Sequence, residues 1–309
     1  MGDSAATADD VLARYREIVP DYGAFRAACQ RPLPTVVRAN AIKATPARAA
    51  EALRGEGVGV TRDDRVPNLL ELDTDSPGTT WAYQHGMIHG QEAVSAIPPR
   101  VLDPDPGDRV LDACAAPGSK ATQLAALMDD RGLLIANDDS LGRLSSLRAN
   151  ADRLGVTCAA VTNRDGRDLD PSALGGPVDG ALVDAPCSCE GTVRKNPDAF
   201  DDWSAGYLSA VSGVQKGILR RAVQITRPGG TVVYATCTFA PEENEAVLDH
   251  VLAREDCTVR TYETPLDHEP GVTAWRGASY DPTVARAKRF YPHQNDTGGF
   301  FCARLEVGG

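Results

Sequence analysis

The chain has 309 residues, enough for one large α/β domain and a small appendage around a sizeable core. No apolar run approaches the roughly 18 residues of a membrane span, and Met1–Asp10 is small and acidic, unlike a signal peptide, so a soluble, cytoplasmic protein is expected. The formal charge of -11, rich in Asp and with lysine only at Lys43, Lys120, Lys195, Lys216 and Lys288, argues by itself against a nucleic-acid binder and suggests adaptation to high salt.

Apolar residues at helical spacing predict helices over Ala8–Ile18 and Tyr22–Cys29, stopped by Pro32 and Pro34. Thr35–Ala39 is a short strand pattern. Thr45 followed by Pro46 predicts an N-cap and first helical residue for a helix through Leu53, with Gly59–Thr61 extended after it. The loop Asp73–Thr80 marks a boundary, giving a small α+β domain over 1–78 and a main domain over 79–309.

The main domain repeats one unit. Arg109–Cys114 predicts a buried strand, Ala115–Lys120 a tight turn, and Lys120–Met128 a helix. Gly132–Asn137 is the next strand, then Leu141–Leu154 a helix, Cys158–Thr162 a third strand and Val178–Asp184 a fourth. Leu208–Thr226 is helical in spacing, Pro228–Gly230 breaks it, Thr231–Tyr234 is a β-branched strand, and Gly299–Leu305 is a terminal one. The alternation predicts an α/β fold: a doubly wound, Rossmann-like, mostly parallel sheet with an antiparallel last strand.

In such a sheet the C-terminal strand ends converge on one crevice. Here they carry Asp112, Asp138, Asp165, Asp184 with Cys187, and Cys237. Asp138, about 20 residues past the first turn, suits a ribose hydroxyl, and Asp165 an adenine edge. The first turn holds one glycine, Gly118, and no G-x-G-x-x-G, so a phosphate-free cofactor such as S-adenosylmethionine fits better than a dinucleotide. The eight cysteines show no CxxC pair, and the lone CxC at Cys187 and Cys189 has no nearby His. Free thiols and no metal are therefore expected.

Three stretches, Asp112-Ala-Cys-Ala-Ala-Pro-Gly-Ser-Lys120, Asp184-Ala-Pro-Cys-Ser-Cys-Glu-Gly-Thr192 and Tyr234-Ala-Thr-Cys-Thr-Phe-Ala-Pro-Glu-Glu-Asn-Glu245, resemble the signature motifs of the RsmB/Nop/Sun family of RNA cytosine-5 methyltransferases. Leu33–Lys43 resembles the start of that family's small RNA-binding domain, Gly86–Ser95 its linker and Tyr291–Phe301 its closing motif. Cys189 and Ser119 stand where the family more often has glycine.

The resemblance implies methyl transfer from S-adenosylmethionine to cytosine C5 in RNA. Cys237 would attack C6, Cys187 would assist product release, and Asp184 would face N3. Cys187 in a Pro-Cys dipeptide remains the rival nucleophile, because DNA cytosine-5 methyltransferases use one. Lys120 is a cationic aid to the thiolate or a phosphate contact, or else an ordinary helix-surface lysine. Cys114, Ala115, Ala116, Pro117, Gly118, Ser119, Lys120, Asp138, Arg143, Asp165 and Asp184 would line the cofactor site, while Asp112 supports the turn. Arg38, Asn40, Lys43, Arg194, Lys195 and Asn196 are the RNA-contact candidates.

The acidic surface does not exclude RNA: at about 1 M salt the Debye length is only about 3 Å, and stacking and short contacts take over from long-range attraction. The compact chain resembles archaeal tRNA-directed members, so tRNA is expected ahead of rRNA, with the protein a monomer. The alternatives are a non-catalytic RNA-binding assembly factor and a DNA methyltransferase.

Overall fold

The protein is described from a computed structural model, which covers residues 7–201 and 203–309. Strands β1 (Thr35–Ala39), β2 (Val60–Arg62), β3 (Leu69–Leu72) and β4 (Ile88–Gly90) form a small antiparallel sheet in the order β2-β3-β1-β4. Helix α3 (Pro46–Gly55) starts at Thr45, whose side chain accepts the Arg48 N–H, and buries Ala49, Ala50 and Leu53 against Val37, Leu70 and Ile88.

Membership of this unit differs from residues 1–78 at both ends. Its fourth strand, β4, comes from beyond residue 78, after the short helix α4 (Trp81–Gln84). Helices α1 (Ala8–Ala13) and α2 (Tyr22–Cys29) leave it, because their aromatic side chains find apolar partners elsewhere: Tyr15 and Phe25 pack with Phe239, Trp275 and Tyr291. Helix α1 also stops short of Ile18, and the Tyr15 hydroxyl reaches Glu190 at 2.7 Å.

Strands β5 (Arg109–Asp112), β6 (Leu133–Asn137), β7 (Ala159–Thr162), β8 (Val178–Asp184) and β9 (Thr226–Thr236) are parallel, in the order β7-β6-β5-β8-β9. The apolar runs of β5, β6, β8 and β9 are buried on both faces, as a helix-covered parallel sheet requires, whereas the edge strand β7 is half-buried to exposed. One face is covered by helices α5 (Ile97–Leu102), α6 (Ser119–Leu127) and α7 (Leu141–Leu154). The other carries α8 (Ala205–Ile225) and α9 (Glu245–Leu252).

Helix α7 begins at the Ser140 cap and ends at Gly155, whose φ of 77° is left-handed. Helix α8 runs straight into β9 at Thr226, earlier than the expected strand start at Thr231. A register shift between Val178 and Gly180 on β8 absorbs the Pro-Gly-Gly segment as a bulge.

The sheet is extended by antiparallel strands. Strand β15 (Phe300–Val307) lies on β9, with β10 (Cys257–Arg260) and β14 (Lys288–Phe290) on β15 and β11 (Glu269–Pro270) on β14. A two-residue pair, β12 (Ala274–Trp275) with β13 (Ala278–Ser279), and a short helix, α10 (Pro292–Asn295), sit in the connecting segments. No helix among the described residues is long and apolar enough to cross a membrane.

Candidate active site

The strand order reverses at β5, which has β6 on one side and β8 on the other. Ligands bind open α/β sheets at such switch points, beyond the C-terminal strand ends. Here the loop Ala113–Gly118 leaves β5, Asp184 ends β8, and Asp184 pairs in register with Ala235, two residues before Cys237.

Topology thereby brings together thiols that are 50 residues apart. The Cys187 and Cys237 Sγ atoms are 3.3 Å apart and Cys189 Sγ is 4.0 Å from Cys187. Cys187 is buried, and Cys237 and Cys189 are half-buried. Charge in the cluster is shared: Cys189, accepting S–H donation from Cys187 and then Cys237, is held well below the usual thiol range. Donation to Cys189 and then to Cys237 pushes Cys187 up. Cys237 accepts from Cys187 but donates to Cys189 and is buried, and it too ends above the usual range.

Lys120, in the first turn of α6, is buried rather than on the helix surface, with its Nζ 2.6 Å from Asp184 Oδ2 and 5.4 Å from the Phe300 ring centroid. Burial opposes its charge, but Asp184 outweighs burial and raises its pKa. Asp112 does not support the turn as expected. Its carboxylate is fully buried, neither oxygen has a hydrogen-bond partner among the described residues, and burial followed by repulsion from Asp184 pushes it up to about 7. Lys120 pulls the other way, as does the Cys114 N–H from outside good hydrogen-bond geometry.

Behind the thiols lies a polar network with few loose ends. Glu243 accepts from the Ser188 N–H (2.9 Å), the Ser188 hydroxyl (2.5 Å) and Gln215 Nε2 (2.9 Å). Glu190 accepts from the Tyr15 hydroxyl, Trp203 Nε1 (2.6 Å) and the Thr238 hydroxyl (3.1 Å). The Ser188 and Thr238 hydroxyls are 2.8 Å apart, joining the two clamps. The Gly191 N–H donates to the Cys237 carbonyl at 2.9 Å, and the Gly191 carbonyl accepts from the Gly299 N–H at 2.8 Å. A Cβ on Gly191 would stand 2.3 Å from the Gly299 oxygen and 2.9 Å from the Cys237 oxygen, so no larger residue fits there without moving backbone.

Residues 99–306 match the family described as 16S rRNA methyltransferase RsmB/F. The chain belongs to the RsmB/F methyltransferase family. It is 41% identical over 223 residues to the tRNA (cytosine(49)-C(5))-methyltransferase of Pyrococcus abyssi, covering 72% of this chain and 71% of that protein. It is 35% identical over 318 residues to the ribosomal RNA small subunit methyltransferase F of Vibrio cholerae, covering 99% of this chain and 65% of that one. The chain thus spans just under two thirds of that relative's length. A solved structure of a methyltransferase homologue protein from Pyrococcus horikoshii matches with a TM-score of 0.85 at 29% identity, over 99% of this chain and 100% of that one.

The RsmB/F crevice of this chain suits S-adenosylmethionine. Its lining is rich in carboxylates, which repel a pyrophosphate, and its buried lysine is already paired with Asp184. Among the described residues Asp112 is a buried carboxyl group without a hydrogen-bond partner, and the Ser119 hydroxyl is likewise buried without one. Cys114 is half-buried, Ala115 and Ala116 buried, and Pro117 exposed. Gly118, at a φ of 109°, is pressed against Leu147, which a Cβ would approach to 2.9 Å. Asp138 accepts from the Ala116 and Ser140 N–H groups at 3.2 and 3.0 Å and pairs with Arg143, leaving further lone pairs for a hydroxyl. Asp165 is turned onto Arg167, whose side chain and N–H hold both its oxygens and keep its pKa low.

Three of the six RNA-contact candidates are structural. Arg38 is buried, bonded to Gln91 (2.6 Å) and Thr122 (3.0 Å), and ties the small sheet to α6; burial lowers its pKa to about 9. Asn40 is buried and donates to the Gly86 and Leu154 carbonyls. Arg194 is buried on the Arg31, Pro32 and Thr297 carbonyls and Asp296. A charged residue is buried when such acceptors replace water, and nothing local in the sequence announces them. Lys43 is exposed, with its Nζ on the Arg153 carbonyl, and Lys195 and Asn196 are exposed. Sequence reasoning missed Glu190, Glu243 and Asn137. Asn137 is fully buried and bridges the Ala113 and Arg164 carbonyls, with Thr162 donating to it.

Proposed function

We propose that this RsmB/F member transfers the methyl group of S-adenosylmethionine to C5 of a cytosine in RNA, with tRNA the favoured substrate. The observation that carries the reading is the 3.3 Å approach of two thiols from separate loops, beside a carboxylate paired with a buried lysine. Cytosine C5 is too weakly nucleophilic for direct attack on a methyl donor, so the ring must be activated from C6, and a thiolate does this. Bound S-adenosylmethionine supplies the electrophilic methyl group.

Cys237 attacks C6 in this scheme, and Asp184, oriented by Lys120, faces N3. The lysine keeps a positive charge where negative charge gathers. Cys187 then assists release of Cys237 once the C5 proton has left. The target base must be unstacked to reach the thiols, which favours a loop or a flipped nucleotide.

The tRNA preference rests on the relative from Pyrococcus abyssi, a tRNA (cytosine(49)-C(5))-methyltransferase. The relative from Vibrio cholerae acts on ribosomal RNA, so both substrates belong in the test. Incubating the protein with labelled methyl donor and separate tRNA and small-subunit rRNA transcripts should give 5-methylcytosine in the tRNA. RNA binding without incorporation would favour a non-catalytic assembly factor, and incorporation into rRNA alone would overturn the tRNA assignment.

A further inference from the structure

Cys189 occupies a backbone position that a cysteine does not favour. Its φ of 60° and ψ of 19° are left-handed, a conformation costing a residue with a β-carbon about 1–2 kcal/mol that glycine avoids. The methyltransferase scheme gives its thiol no role. Yet the side chain projects back onto the two thiols that have one, and the three sulfurs lie within 4.8 Å of one another. Among the described residues this is the only group of three or more metal-ligating side chains close enough to share an ion.

Three sulfurs each about 2.3 Å from one ion stand about 4 Å apart in a trigonal arrangement. The observed separations, 3.3 and 4.0 Å with the third no more than 4.8 Å, need only small rotamer adjustments to reach that. The group supplies no nitrogen or fourth sulfur, which zinc normally takes, and three soft thiolates without a harder ligand suit monovalent copper. Positive charge is at hand: Lys120 interacts electrostatically with Cys237, and Arg143 with Cys189.

We propose that Cys187, Cys189 and Cys237 form a three-thiolate site that captures one Cu(I) ion and thereby withholds Cys237 from RNA. On binding, three S–Cu bonds form as the ion gives up its acetonitrile ligands, the protons still held by the cluster, those of Cys187 and Cys237, pass to solvent, and the copper stays monovalent. Capture needs only the free protein. Its effect on methyl transfer rests on the function proposed above.

The test is anaerobic titration of the intact protein with tetrakis(acetonitrile)copper(I), read by copper X-ray absorption and by competition with a Cu(I) chelator. One equivalent should bind with three sulfur neighbours. Cys189→Gly, which suits the left-handed backbone and so preserves the fold, should leave two sulfurs and weaken binding at least 10-fold. Circular dichroism of both proteins confirms folding. Two sulfurs in both proteins, no binding, or tighter binding of Zn²⁺ than of Cu(I) would overturn the site. In a separate arm, stoichiometric Cu(I) should depress methyl transfer by the parent far more than by Cys189→Gly. Binding without inhibition would contradict the consequence while leaving the site intact.

Discussion

The two sides of the thiol cluster are built in opposite ways. On the back, Glu190 and Glu243 are buried acids whose oxygens are engaged by hydroxyls, amides and an indole N–H, and the loops they hold meet at Gly191. On the front, among the described residues, Asp112 and the Ser119 hydroxyl are buried with no hydrogen-bond partner, and Asp184 has a single strong contact, Lys120. Buried polar groups are normally satisfied, so unsatisfied ones mark where a ligand or functional state is accommodated. The back fixes the positions of the sulfurs, and the front is left incomplete for what enters.

Breaking the back should do the most damage to turnover for the least damage to folding. Gly191→Ala forces apart the loops bearing Cys237 and Cys189, and displacing reacting atoms by about 1 Å costs on the order of 10²-fold in rate. The expected stability loss is about 1–3 kcal/mol. Single-turnover methyl transfer alongside urea unfolding separates the two. A variant with normal turnover would mean that the close approach positions nothing.

Altering the front should change pH dependence instead. Asp112 has a folded pKa of about 7 against an ordinary 3.8, so the native state holds its proton where the unfolded chain has lost it. Its contribution is fully present below about pH 4 and is lost as pH rises through 7. Glu190, raised to about 7 by burial first and then by Glu243, acts in the same direction. Asp112→Asn should remove one of these two contributions and gain on the order of 3–4 kcal/mol at pH 8, with little gain at pH 4. Equal gains at both pH values would contradict a buried Asp112 carboxyl group that resists ionisation.

The smallest effect belongs to the exposed rim. Lys195→Ala should weaken RNA binding only a few-fold, independent of sequence, and reduce the salt slope of log K by about 0.7. An unchanged slope would remove Lys195 from the RNA path.

The same contrast governs what could be read from the chain. Helix α7 and strand β8 have the expected bounds because their period and caps are local. Strand β3 (Leu-Leu-Glu-Leu) and three-residue β4 went unread, as their short runs become strands only by pairing with β1. The strand-end carboxylates and both motif cysteines were legible from spacing. The third thiol was visible as a residue but not as a neighbour, because only the pairing of β8 with β9 brings Cys189 to Cys237. Arg38, Asn40 and Arg194 look like surface polar groups until the carbonyls and side chains that receive them are known.

The central claim is the division of labour between the two close thiols, and one experiment separates them. Cys187→Ala and Cys237→Ala are each incubated with substrate RNA and S-adenosylmethionine, then run on a denaturing gel. The account predicts an RNA-retarded covalent band for Cys187→Ala, which can attack but not release, and none for Cys237→Ala, which also incorporates no methyl group. A band on Cys237→Ala with none on Cys187→Ala would contradict it and make Cys187 the nucleophile.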